Sequence, residues 1–199
     1  MKLRSIALVL TVALASAAAY AQTGIYVTMD AQQFTQQGIY ANPGLHGNVD
    51  RPWLFGPTYG IYYNVTHLPR YGALKTGPFA VGIDARGDTF RISEYGSQLD
   101  RQDGIFSLRV AAKTPYMRST PYVQGGFGIG HTRVPFAAHY SNNFVYQFGV
   151  GIDRKVHRNI DWRVVEATAG FLGNYQVGSG PNQSNYLVTI GTGLVFRVH

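Results

Sequence analysis

The chain has 199 residues, no cysteine, 17 Lys and Arg against 10 Asp and Glu, and is 45% apolar and 14% aromatic. That excludes disulfides, thiolate metal sites and cysteine nucleophiles, and the apolar fraction argues against disorder. With 24 Gly, 14 Tyr and 11 Phe but only two Glu, the composition disfavours helices and suits strands, so a single all-β domain is expected.

Residues 1–21 have the layout of a cleaved secretory signal peptide. Lys2 and Arg4 give a positive start, Ile6 to Leu14 an apolar run, and Ala19-Tyr20-Ala21 a small-residue exit before Gln22. Cleavage removes Lys2 and Arg4 and lowers the net charge from +7 to +5. The domain that follows, 22–199, holds no run near the roughly 18 apolar residues of a spanning helix. It is therefore either soluble outside the cytoplasm or crosses a membrane as strands.

Period-two alternation marks eight segments in chain order. Ile25, Val27, Met29 and Ala31 oppose Tyr26, Thr28, Asp30 and Gln32; Tyr59, Ile61, Tyr63 and Val65 oppose Gly60, Tyr62, Asn64 and Thr66. Next, Phe79, Val81 and Ile83 oppose Ala80, Gly82, Asp84 and Arg86, and Phe106, Leu108 and Val110 oppose Ser107, Arg109 and Ala111. Val123, Phe127 and Ile129 then face away from Gln124, Gly126, Gly128 and Gly130, and Phe144, Tyr146, Phe148, Val150 and Ile152 from Gln147, Gly149, Gly151 and Asp153. The seventh segment sets Val165, Ala167, Ala169 and Phe171 against Glu166, Thr168 and Gly170, and the last sets Tyr186 to Val198 against Thr189, Gly191, Gly193 and Arg197. Eight such segments separated by turn residues predict an eight-stranded antiparallel up-and-down transmembrane β-barrel whose apolar parity faces lipid.

The polar parity carries Asp30, Asp84, Asp153 and Glu166 against Arg86, Arg109, Lys113 and Arg197. Inside a narrow barrel these charges leave bulk water and need opposite partners, so they are the candidates for interior ion pairs. The glycines on the same face leave room for the long side chains across the lumen. Short turns are expected at 69–75, 114–119 and 155–160, and longer external connections at 36–56, 87–102, 134–142 and 174–184, with strand one running outward. Aromatic residues near strand ends, Tyr59, Phe79, Tyr122, Phe144, Trp162, Phe171, Tyr175, Tyr186 and Phe196, are expected in interfacial girdles. In the first connection Tyr40, His46, Trp53 and Phe55 are candidates for contact with a surface partner, or for an extension of the girdle.

On segments 121–130 (PYVQGGFGIG), 148–153 (FGVGID) and 188–197 (VTIGTGLVFR) the chain resembles the small eight-stranded outer-membrane β-barrel family, the OmpA-like transmembrane domain and its relatives. The family usually ends on an aromatic residue read by the assembly machinery, whereas here Val198 and His199 follow Phe196. The resemblance implies the outer membrane of a Gram-negative-type bacterium. It also implies lipopolysaccharide and phospholipid as neighbours, the outer-membrane assembly machinery as a partner, and no cofactor. No appended peptidoglycan-binding domain is expected.

Other motifs lose to simpler readings. Gly126-Phe127-Gly128-Ile129-Gly130 lacks the helix that a phosphate loop requires, and Arg86-Gly87-Asp88 is a three-residue match to an adhesion tripeptide. His139-Tyr140-Ser141-Asn142 is similar to the His-x-Ser-Asn segment of lipid A deacylases, which lies on their seventh strand; here it falls in the third external connection. His46, His67, His131, His157 and His199 show no metal-ligand spacing. Arg70, Lys75, Arg118, Lys155 and Arg158 read as solvated turn charge or as contacts to anionic headgroups. They form no stripe that would bind nucleic acid. The leading functional expectation is a non-enzymatic envelope scaffold or surface-interaction protein with a plugged interior. A narrow channel or small-ligand conduit, a lipid A-modifying enzyme and a soluble lipocalin-like barrel of inverted polarity are the alternatives.

Overall fold

The structure, a computed structural model, describes residues 22–34, 53–67, 79–94, 97–112, 118–133, 140–175 and 183–198. Its strands are β1 (Gln22–Phe34), β2 (Trp53–His67), β3 (Phe79–Glu94), β4 (Ser97–Ala112), β5 (Ser119–Arg133), β6 (Tyr140–Lys155), β7 (Ile160–Tyr175) and β8 (Gln183–Val198). Each pairs antiparallel with the next, and β1 pairs with β8, as in Ile25 opposite Phe196, to close the barrel. Among the described residues no helix is long and apolar enough to cross a membrane. A closed barrel satisfies every strand edge within the sheet, the condition for crossing hydrocarbon with strands.

The wall is inside-out relative to a soluble protein. Met29, Phe55, Leu108, Phe127, Ile129, Phe144 and Phe148 are all more than half exposed, with Leu108 at 63%. Charged and polar residues fill the interior, where Arg101 and Arg163 are fully buried. The girdle aromatics Tyr59, Phe79, Phe144, Trp162, Tyr186 and Phe196 face outward, and Phe171 packs against Tyr186 with ring centroids 5.6 Å apart. Trp162 also donates its indole N–H to Thr192 Oγ1 at 3.1 Å. Tyr122 departs from this expectation, because it points into the lumen and is buried.

The end where β1 begins and β8 ends is the turn end, and the opposite end is the loop end. At the turn end a tight connection between Lys155 and Ile160 is held by Val156 N–H and His157 N–H donating to Ile160 O at 3.1 and 2.9 Å. Arg197 N–H donates to Asn159 O at 2.9 Å, tying the turn to β8. The long connection expected at 87–102 does not exist. β3 and β4 continue through it as a hairpin paired up to Glu94 opposite Ser97. Outward residues there, such as Thr89, Arg91, Asp100 and Gln102, lie beyond the apolar belt, so alternation in hydrophobicity fades while the strand persists. The expected contrast between long external and short inner connections thereby narrows to the first one, 35–52, which lies outside the described residues together with Tyr40 and His46.

Candidate functional site

The feature that distinguishes this barrel is its lumen. Alternation delivers inward Tyr26 from β1, Tyr62 from β2, Asp84 and Arg86 from β3, Arg109 from β4, Tyr122 from β5 and Asp153 from β6. β7 contributes both Arg163 and Glu166, three residues apart, because the register against β8 shifts between them. That bulge turns two residues inward that strict alternation would place on opposite faces.

Three arginines and three tyrosines fill the cross-section. The Arg163 guanidinium lies 4.1 Å from the Tyr26 ring centroid and 5.0 Å from that of Tyr122. Arg109 lies 3.8 Å from the Tyr122 centroid and 4.0 Å from that of Tyr62. The result is a stack, Tyr26–Arg163–Tyr122–Arg109–Tyr62, crossing from β1 through β7, β5 and β4 to β2, each planar cation lying on an aromatic face.

Three carboxylates bind this stack together. Asp153 accepts from Arg109 Nη2 at 2.7 Å and from Arg163 Nε at 2.9 Å. Glu166 accepts from Arg86 Nη1 at 2.6 Å, from Arg163 Nη1 at 3.0 Å and from the Tyr122 hydroxyl. Asp84 accepts from the Tyr26 hydroxyl at 3.0 Å and lies 3.7 Å from Arg86 Nε. Asp84, Asp153 and Glu166 against Arg86, Arg109 and Arg163 make a neutral set, as expected where desolvated charges must be compensated.

The tyrosine rings fit because glycines stand across from them. A Cβ on Gly60 would strike Tyr26, one on Gly24 would strike Tyr62, and one on Gly151 would strike Tyr122. Gly128 and Gly104 form a sharper contrast. A Cβ on Gly128 would overlap the Gly104 carbonyl oxygen, a backbone atom that cannot swing aside, whereas a Cβ on Gly104 meets nothing within 4 Å. Gly128→Ala is therefore expected to cost about 1–3 kcal/mol as overpacking. Gly104→Ala is expected to be neutral or to gain up to about 1 kcal/mol through reduced unfolded-chain entropy. Urea unfolding midpoints of the two variants, measured side by side in the same vesicles, check the difference.

Two further layers close the lumen above and below. Toward the loop end it turns apolar, with Leu54, Phe90, Val145, Leu172 and Leu187 buried inside. Arg101 and Asp103 pair there at 2.8 Å. At the turn end Arg197 Nε donates to Asp161 Oδ2 at 2.5 Å. Asp30 lies in the lumen but accepts from the Thr58 hydroxyl at 2.5 Å, with no cation within ion-pair distance among the described residues.

Of the interior residues expected from sequence, Asp84, Arg86, Arg109, Asp153 and Glu166 come together, Arg197 joins Asp161 instead, and Lys113 lies outside the described residues. Arg163, Asp161, Asp88, Arg101, Asp103 and the three lumenal tyrosines also lie in the interior. Trp53 and Phe55 stand on β2, facing outward, rather than in a loop. Arg86 and Asp88 are buried inside β3, so the adhesion tripeptide is not displayed. Asn142 is on β6, its Oδ1 accepting from His131 Nδ1 at 2.6 Å. His139 lies outside the described residues. Among the described side chains no histidine enters the lumenal network, and no group of three or more His, Asp or Glu is placed to hold a metal ion.

A closed eight-stranded wall with an apolar exterior and an interior crossed by ion-paired charges defines a small transmembrane β-barrel of the outer-membrane type. The chain is similar in fold to Neisserial surface protein A, with a TM-score of 0.56 over 87% of this chain and 97% of that one, at 13% identity. It also matches Ail, the attachment invasion locus protein of Yersinia pestis, at 10% identity and a TM-score of 0.48, covering 89% of this chain and 99% of that one. The N-terminal β-barrel domain of Pseudomonas aeruginosa OprF matches at 14% identity and a TM-score of 0.43, over 88% and 99%. No protein-family model and no curated protein matches the chain.

Proposed function

We propose that this is a non-enzymatic outer-membrane protein, exported by residues 1–21, whose barrel is a sealed scaffold and whose activity lies on its loop end, facing the outside. The observation that supports it is the neutral Arg–Tyr–carboxylate stack across the lumen. A conduit needs mobile, hydrated polar groups along its axis, whereas here the charged heads of the stack are each held by a ring or an opposite charge. Eight strands leave an interior just wide enough for side chains to fill. The apolar layer of Leu54, Phe90 and Leu172 closes the loop end further.

In this reading the work passes to the exterior: an envelope-stabilising or adhesive role in which Tyr40 and His46 of the first connection, together with the outward Trp53 and Phe55 of β2, meet a surface partner. The assembly machinery and membrane lipid are the obligatory partners of such a fold. Planar-bilayer recording tests the seal. The protein is expected to give no steady conductance above the bilayer baseline, and a reproducible open level would replace the scaffold reading with the narrow channel.

A further inference from the structure

Toward the loop end from the neutral stack, the lumen changes its charge. The inward residues there are Asp30 on β1, Thr58 on β2, Asp88 on β3 and Asp103 on β4, all buried. The register sets them side by side, with Thr58 opposite Asp88 and Asp88 opposite Asp103. Two carboxyl groups thus stand as direct cross-strand neighbours on the inner face, an arrangement that destabilises a ladder when both are ionised.

The charged groups around them are engaged elsewhere. Arg101 pairs with Asp103 at 2.8 Å. Arg86, two residues before Asp88 on the same face of β3, reaches Glu166 at 2.6 Å and lies 3.7 Å from Asp84. Glu166 on β7 is held by Arg86 and Arg163. At this level β5, β6 and β8 present the uncharged Gly130, Asn143 and Gly191. Among the described residues no cationic side chain comes within ion-pair distance of Asp88 or Asp30, and no three acids are placed to hold a metal ion. A buried carboxylate without an opposite charge is costly, so the compensating charge at this level is a proton.

The direction of one hydrogen bond says which group carries it. Thr58 has a single hydroxyl proton and donates it to Asp30 Oδ2 at 2.5 Å, the length of a hydroxyl bound to an ionised carboxylate. Asp30 is thereby the charged acceptor, and what Thr58 has left for Asp88 is oxygen lone pairs, which only accept. Asp88 Oδ1 is buried with no hydrogen-bond partner. A carboxylate there would face a hydroxyl oxygen on one side and the Asp103 carboxylate on the other, whereas a carboxylic acid brings the donor that both can accept.

We propose that Asp88 is a proton-binding site of the lumen, filled at neutral pH, and that its ionisation sets it against Asp103 and loosens the β3–β4 hairpin at the loop end. The barrel thereby carries a pH-sensitive lock. An aspartate of the unfolded chain is ionised above about pH 4. From there up to the pH at which Asp88 itself ionises, unfolding releases one proton from this position. Stability therefore falls as pH rises through that window, by up to about tenfold in the folding equilibrium constant per pH unit. The lock depends neither on what the loop end binds nor on whether the barrel conducts.

Urea unfolding of the wild type and of Asp88→Asn from the same vesicles, at about pH 5, 6 and 7, reads that slope. The variant keeps the shape and a donor but does not titrate, and an unchanged gel shift on boiling verifies its fold. The folding constant of Asp88→Asn relative to wild type is expected to rise by up to about tenfold per pH unit. Parallel pH dependence of the two proteins, or an equal loss in the variant at every pH, would overturn the proposal. Infrared absorption of the refolded protein in heavy water gives a second reading that needs no unfolding. At neutral pH the wild type and Asp30→Asn are expected to show the C=O band of a protonated carboxyl group, and Asp88→Asn to lack it. A wild type without that band, or a band that persists in Asp88→Asn and vanishes in Asp30→Asn, would contradict the assignment.

Discussion

Arg163→Ala is expected to destabilise the barrel by about 3–5 kcal/mol, the scale found when one partner of a buried, hydrogen-bonded charge set is removed. The residue is fully buried and serves two carboxylates at once, Asp153 at 2.9 Å and Glu166 at 3.0 Å. Its loss strands negative charge in the lumen and leaves a void between the Tyr26 and Tyr122 rings. Arg163→Lys keeps the charge but not the flat fork that stacks on two rings while reaching two acids, so it should recover only part of the loss. Arg91→Ala is the control. Its pair with Asp100 is shorter still, at 2.7 Å, but the arginine side chain is 66% exposed, so the change should cost at most about 1 kcal/mol. Denaturant unfolding from vesicles reads all three, and similar losses for Arg163→Ala and Arg91→Ala would show that the lumenal network does not hold the barrel together.

Leu108→Arg is the complementary experiment on the outside of the wall. On β4 the outward positions run Gln102, Gly104, Phe106, Leu108, Val110 and Ala112, which puts Leu108 near the centre of the apolar belt. An arginine at the midplane of a transmembrane barrel costs about 2–4 kcal/mol, falling to about 0–1 near the interface. Gln102→Arg, three outward positions nearer the loop end, should therefore cost little. That gradient along one strand is the signature of lipid. A water-facing wall would tolerate both changes, and a barrel of inverted polarity would have no reason to grade the cost by distance from the belt.

Much of this architecture was legible because alternation in a lipid-facing strand is nearly binary. Phe144, Tyr146 and Phe148 against Gln147, Gly149 and Gly151 admit one orientation, and the inward parity then names Asp84, Arg86, Arg109, Asp153 and Glu166 without any structure. What stayed hidden has local physical causes. Arg163 was masked by the β7 bulge, which breaks period two just where it matters. Asp88, Arg101 and Asp103 were masked because β3 and β4 rise past the apolar belt, so both faces are polar and the segment resembles a loop. Tyr122 reads as an interfacial aromatic because it stands near a strand end. The signal that could have turned it inward was the glycine on the partner strand, since Gly151 is directly opposite Tyr122, as Gly60 is opposite Tyr26 and Gly24 opposite Tyr62. An inward aromatic beside an inward glycine is a packing pair, and three repetitions of it form the stack.

The central claim, that the greasy face is outside and the charges are inside, is tested most directly by refolding. The chain from Gln22 to His199 is diluted from urea into detergent micelles or into plain buffer, and boiled and unboiled samples are compared on a denaturing gel with circular dichroism as the readout of strand content. The account predicts β-structure and a heat-dependent gel shift only where detergent is present. A folded monomer in plain buffer would contradict it, because a wall exposing Phe106, Leu108, Phe127 and Phe148 cannot remain dispersed in water.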